Sequence, residues 1–136
     1  MYHPWRALRS RPHLWLEISD LGDDGPLGCT NGRTITLTTG LHQAERRCVL
    51  LHELIHEERG IPHGVDPREE SRVEQEVARR LISLDLLADA LRWTQRVDEA
   101  ADHCHVTIDV LMTRWEHLHP SERHYLRRIT DDAHGH

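Results

Sequence analysis

The chain has 136 residues, 38% of them hydrophobic, with a formal net charge of −6, which suits one modest core and excludes two independent ones. All 17 basic residues are arginines, interspersed with 23 acidic ones, so no basic stripe points to nucleic acid. There is no run of about 18 apolar residues and no signal-peptide h-region, and the 3 cysteines fall outside any CxxC spacing, which predicts a cytoplasmic protein with reduced thiols and no membrane partner.

From residue 13, "HLWLEISDL" alternates Leu14, Leu16 and Ile18 with Trp15, Glu17 and Ser19, the period of a half-buried strand. A Gly/Asp/Pro cluster follows, then a turn at Asn31-Gly32 and the β-branched "RTITLTT". These predict a small antiparallel sheet or hairpin. Residues 41–59 read as a helix that ends at Gly60, where a left-handed residue fits. On a wheel of about 100° per residue, His56 lies about 40° from His52 and Glu53 about 100° from it. Leu50, Leu51, Leu54 and Ile55 occupy much of the remaining circumference. A helix apolar nearly all round is a buried one, so both histidines are expected inside the protein.

"GIPHGVDP" is a loop, and Asp66, Pro67 and Glu69 have the pattern of an N-cap, a first helical residue and a capping-box partner. On the helix this predicts, Val73, Val77, Leu81, Leu84 and Ala88 share one face. Glu70 stands at its centre with Glu74 about 40° away, whereas Glu69 and Glu76 point aside and are expected to be solvated. After residue 90, two or three short helices are expected, with "HVT" at 105–107 as a turn and a helix-turn-helix-like unit over 97–118. The whole reads as a single α+β domain over 1–136: an N-terminal sheet, an HExxH helix and a second ligand-bearing helix over about 13–90, a helical subdomain over about 91–130, and a polar, flexible tail at 131–136.

The stretch "HELIH" at 52–56 carries the chemistry. Positions i and i+4 put His52 and His56 on one face, and Glu53 between them can reach a water held on the metal without ligating it. A catalytic zinc ion needs a third protein ligand and an open position. Glu70, a carboxylate centred on an apolar face, is costly to bury without a positive partner, and a metal ion supplies one. Glu74 is placed to accept a hydrogen bond from the far ring N–H of a ligand histidine. An oxyanion donor has three candidates in His63, His124 and Tyr125, and the sequence does not choose among them. The pairs at 103 and 105, at 117 and 119 and at 134 and 136 lack a matching third ligand and read as surface histidines. Cys48, one turn before His52, could compete as a soft ligand but reads as a small core residue.

"RRCVLLHELIHEERG" followed by "EESRVEQEVARRLISL" resembles the ImmA/IrrE type of zinc metallopeptidase. The resemblance runs over about residues 31–120, since "HVTIDVLMTRWEHL" is similar to the helical stretch that follows the zinc helices there. It puts His52, Glu53 and His56 on the family's HExxH, Glu70 on its third ligand, Val73 on its small apolar residue and Glu74 on its Asn/Asp. Ser83 replaces a proline, Glu76 stands where an aromatic is usual, and the loop between the helices is short. What the resemblance implies is a zincin-like fold of the gluzincin kind, a Zn2+ cofactor and cleavage of a transcriptional repressor or other regulator, often in phages and mobile elements. Two further readings stand beside it. One is a catalytically silent zinc-binding regulatory or interaction protein, for which Glu53 would be unnecessary. The other is a helix-turn-helix DNA-binding regulator, disfavoured by a single arginine and several acids on and near its recognition helix.

Overall fold

The computed structural model describes residues 1–60 and 66–135. Its described elements are α1 (Pro4–Arg9), β1 (Trp15–Ile18), β2 (Gly28–Thr30), β3 (Thr34–Leu37), α2 (Gln43–Arg59), α3 (Pro67–Leu81), α4 (Leu84–Trp93), α5 (Val97–Cys104), α6 (Ile108–Glu116) and α7 (Pro120–His134). This is an α+β arrangement with a small sheet. Among the described residues no helix is long and apolar enough to cross a membrane.

The sheet has the order β1-β3-β2. β2 and β3 form the expected hairpin, in which Asn31 Oδ1 accepts from the backbone N–H groups of Arg33 at 2.9 Å and Thr34 at 2.8 Å. Gly32 takes the positive φ of 88° that the turn requires. β1 departs from the expected antiparallel sheet, because it pairs parallel to β3, Trp15 opposite Thr34 and Ile18 opposite Leu37. The nine-residue stretch between β1 and β2 is long enough to bring the chain back, so β3 becomes the central strand and β1 an edge. α2 packs on β2 and β3. Leu14 is therefore buried while Ile18, at the far end of the edge strand, is 53% exposed, against the alternation.

α2 matches its expected course. Gly60 closes it in the left-handed conformation at φ 69°, and Leu50, Leu51, Leu54 and Ile55 are each at most 1% exposed. Each such buried side chain contributes about 2 kcal/mol of hydrophobic stabilisation. α3 starts as expected, Asp66 accepting from the Arg68 N–H at 2.9 Å. Its partner in the expected capping box is elsewhere: Glu69 is buried at 3% exposure and paired with Arg59 at the end of α2. The long second helix is two helices. Ile82 turns extended at φ −125° and ψ 95°, and Ser83 caps α4 by accepting from the Leu86 N–H at 3.1 Å. A serine side chain that competes for backbone N–H groups favours such a cap over a helix interior.

The turn at 105–107 also forms. His105 is left-handed at φ 57° and Thr107 caps α6. α7 continues through the stretch expected as a tail, to His134, whose Nε2 lies 2.7 Å from the Leu91 carbonyl oxygen. One cluster of buried side chains, from Leu14 to Leu126, joins sheet and helices. Two buried arginines tie segments together through carbonyls. Arg47 donates to Tyr2 at 2.7 Å and His105 at 3.0 Å, and Arg114 to Ile82 at 2.7 Å.

Candidate metal centre

Two helices meet at the site. α2 and α3 pack against each other, and two ion pairs fasten the C-terminal end of α2 to α3: Arg59 with Glu69, and Glu58 with Arg80 at 2.9 Å. The Arg59 guanidinium holds the Glu69 carboxyl below its ordinary range, and hydrogen bonds from Arg79 and Arg80 do the same for Glu76. Glu69 thus works as a buried clamp. A single helical wheel cannot reveal this, because the wheel of α3 carries no information about the end of α2.

Clamped this way, α3 brings Glu70 to the histidine pair. Glu70 Oε1 lies 3.1 Å from His52 Nε2 and 3.1 Å from His56 Nε2, and Oε2 lies 2.8 Å from His56 Nε2. The two Nε2 atoms are 3.1 Å apart. Donors bound tetrahedrally at zinc distances stand about 3.4 Å from each other, so these three atoms are spaced nearly as the edges of one coordination polyhedron. The group could hold a metal ion. Two imidazoles and a carboxylate suit catalytic zinc and also non-haem iron(II), so the donor set alone leaves the ion's identity open. His56 is buried at 2% exposure, while the His52 and Glu70 side chains are 18% and 20% exposed, leaving an open side.

Glu53 is buried at 1% exposure on the same turn. β2 passes directly against it: a Cβ on Gly28 would stand 2.6 Å from Val49 Cγ1 and 3.2 Å from Glu53 Cγ. Glycine at 28 is therefore what lets the edge strand approach this turn of α2.

The other expected site residues distribute differently. Glu74 is exposed and lines a cleft of about 590 Å³ beside His52, between α2, α3 and α6. His124 and Tyr125 are exposed on α7, which packs on α4, and neither lines the cleft. His63 lies outside the described residues. His103, His105, His117 and His119 are exposed, in keeping with surface positions. Cys48 is 6% exposed at the cleft wall, and burial pushes its thiol upward, away from the thiolate that metals require.

The cleft itself was not legible in the sequence. Its third wall is α6, through Thr107, Asp109, Val110, Met112, Thr113 and Glu116, and that wall exists only because α6 packs on α3. Compared with known proteins, the chain matches no family model, no curated protein and no solved structure.

Proposed function

We propose that the chain is a zinc-dependent metalloendopeptidase of the ImmA/IrrE type, acting on a repressor or another regulatory protein. The observation that carries this reading is the meeting of His52, His56 and Glu70 from two helices within 3.1 Å of one another, beside a glutamate that follows the first histidine. Zinc, when bound, supplies Lewis acidity toward a carbonyl and toward water. His52, His56 and Glu70 would hold it. Glu53 takes the proton of the attacking water and returns it to the leaving amine, a role suited to a buried carboxylate on the same turn. The open side toward the cleft admits an extended peptide. The acidic α6 wall, with Asp109 and Glu116, disfavours the DNA-binding reading, because a phosphate backbone is repelled there.

The test has two parts. Elemental analysis of the purified protein is expected to give about one zinc per chain, lost or greatly weakened in Glu70→Ala. The zinc-loaded protein and its Glu53→Gln variant are then incubated with a mixed protein extract, and newly formed N-termini are labelled and sequenced. New termini that depend on Glu53 support the peptidase. Zinc held without any new terminus favours the silent zinc-binding protein, and no zinc at all defeats both.

A further inference from the structure

We infer that the cleft beside His52 is a recognition site for an arginine or lysine side chain of an extended protein segment, with Glu74 and Glu116 as the residues that select it. This inference rests on the peptidase reading for the identity of the occupant as a peptide. Four carboxylates line the cleft, from Glu45, Glu74, Asp109 and Glu116, and among the described lining residues there is no arginine.

That absence contrasts with the C-terminal end of α2, where carboxylates and guanidinium groups are matched: Glu57 with Arg11, Glu58 with Arg80, and Arg59 with Glu69. Two of the four cleft carboxylates have structural reasons to be where they are. Glu45 accepts from the His42 N–H at 3.2 Å in the capping box of α2, and Asp109 sits in the first turn of α6, where the helix dipole favours an anion. The same dipole works against Glu116, which closes the last turn of α6. Glu74 lies in the interior of α3 with neither cap nor dipole to explain it. These two carboxylates are therefore the ones left for a ligand.

The cavity provides the second, independent element. It opens directly onto His52, one of the three candidate metal ligands, and its walls include Val49, Val77, Val110 and Met112. An arginine or lysine has the matching construction: a methylene stem that packs on apolar surface and a cationic head that reaches carboxylates at the rim. A segment lying across the metal centre would place such a side chain a short distance along the chain from the bond at the metal.

A synthetic library of randomised heptapeptides, passed over immobilised zinc-treated full-length protein carrying Glu53→Gln, tests this by sequencing what is retained. Enrichment of arginine and lysine at one or two positions is expected. Adding Glu74→Gln and Glu116→Gln should cut that enrichment on the order of fivefold or more. Asp131→Asn with Asp132→Asn, an equal charge change on α7, should leave it intact. No basic enrichment, or enrichment that survives the Glu74/Glu116 change, overturns the inference. So does loss of zinc from the Glu74/Glu116 variant, since Glu74 would then belong to the metal centre. Failure of the peptidase reading registers elsewhere, as absent zinc or absent Glu53-dependent cleavage, and leaves the retained peptides as a separate result.

Discussion

Replacing Gly28 by alanine tests the packing that sets β2 against the HELIH turn. The added methyl would meet Val49 Cγ1 at 2.6 Å, Glu53 Cγ at 3.2 Å and the Thr36 carbonyl oxygen at 3.2 Å. The Thr36 oxygen is backbone within β3, and Val49 is β-branched on a helix, with essentially one χ1 rotamer available. Neither yields cheaply. Overpacking of this kind costs about 1–3 kcal/mol, and contacts this close belong to the upper half of that range. Alanine in place of glycine in a strand returns about 0.5–1 kcal/mol of backbone entropy, leaving a net loss of about 1–2.5 kcal/mol. At about 2.1 cal/mol/K per residue of unfolding entropy over 136 residues, the melting temperature should fall by about 4–9 °C. Calorimetry reads it. The partner variant Val49→Ala opens the space the methyl needs, so the double variant should be more stable than the sum of the two single losses predicts, by at least about 0.5 kcal/mol. A Gly28→Ala protein as stable as the parent, or losses that simply add, would refute the close approach of β2 to α2.

Other consequences are as direct. If structural zinc binding is worth about 10–16 kcal/mol over four ligands, one ligand carries about 3–4 kcal/mol, so Glu70→Gln should weaken zinc binding by about 10²–10³-fold. Zinc at about 100 times the parent's Kd, which adds about 2.7 kcal/mol to the parent's stability, should then raise the parent's Tm by about 9 °C and the variant's by about 3 °C or less in a thermal-shift titration; equal shifts would remove Glu70 from the site. Arg114→Met leaves the buried Ile82 carbonyl without its 2.7 Å donor and should cost about 1–3 kcal/mol in urea unfolding. Burial pushes the Cys104 thiol up to about 11 from 9.0. The unfolded chain therefore loses this proton first, so the contribution is whole below about pH 9 and is lost as the pH rises through about 11, up to about 3 kcal/mol. Cys104→Ala should flatten that decline. For Glu69 the sign is opposite. Its folded pKa is held low by Arg59, so its contribution is present above the ordinary carboxylate range and fades as the pH falls through the folded value. Glu69→Gln should make acid unfolding shallower below about pH 5.

What could be read in the sequence and what could not separate along one physical line. α2, its stop at Gly60, the Asp66 cap, the Asn31-Gly32 turn and the turn at 105–107 all follow from residues within a few positions of each other, and each is present. The grouping of Glu70 with His52 and His56 was also legible, though it spans 18 residues. A carboxylate centred on an apolar face must find a positive or polar partner, and the two histidines share one face of the preceding helix, one turn apart.

Where the local reading went astray, a distant partner decided the outcome. Glu69 and Glu70 are adjacent, and the wheel assigned the first to solvent; Arg59, at the far end of another helix, made it a buried clamp instead. The wheel continued α3 through Ala88, but Ser83 gains a cap and Ile82 a fully buried position when the chain breaks there. β1 lies parallel because β3 can pair on both sides and the connection permits it, a choice that alternation within a strand does not encode. Glu74 depends on a neighbouring helix in another way. One turn from Glu70, it shares the wheel sector that suggested a place behind a histidine ring. The placement of α6 on α3 turns that sector into the wall of a cleft. A residue's periodicity tells which way it faces from its own helix, and the neighbouring helix determines whether that direction leads to the core, to the metal group or to the cleft.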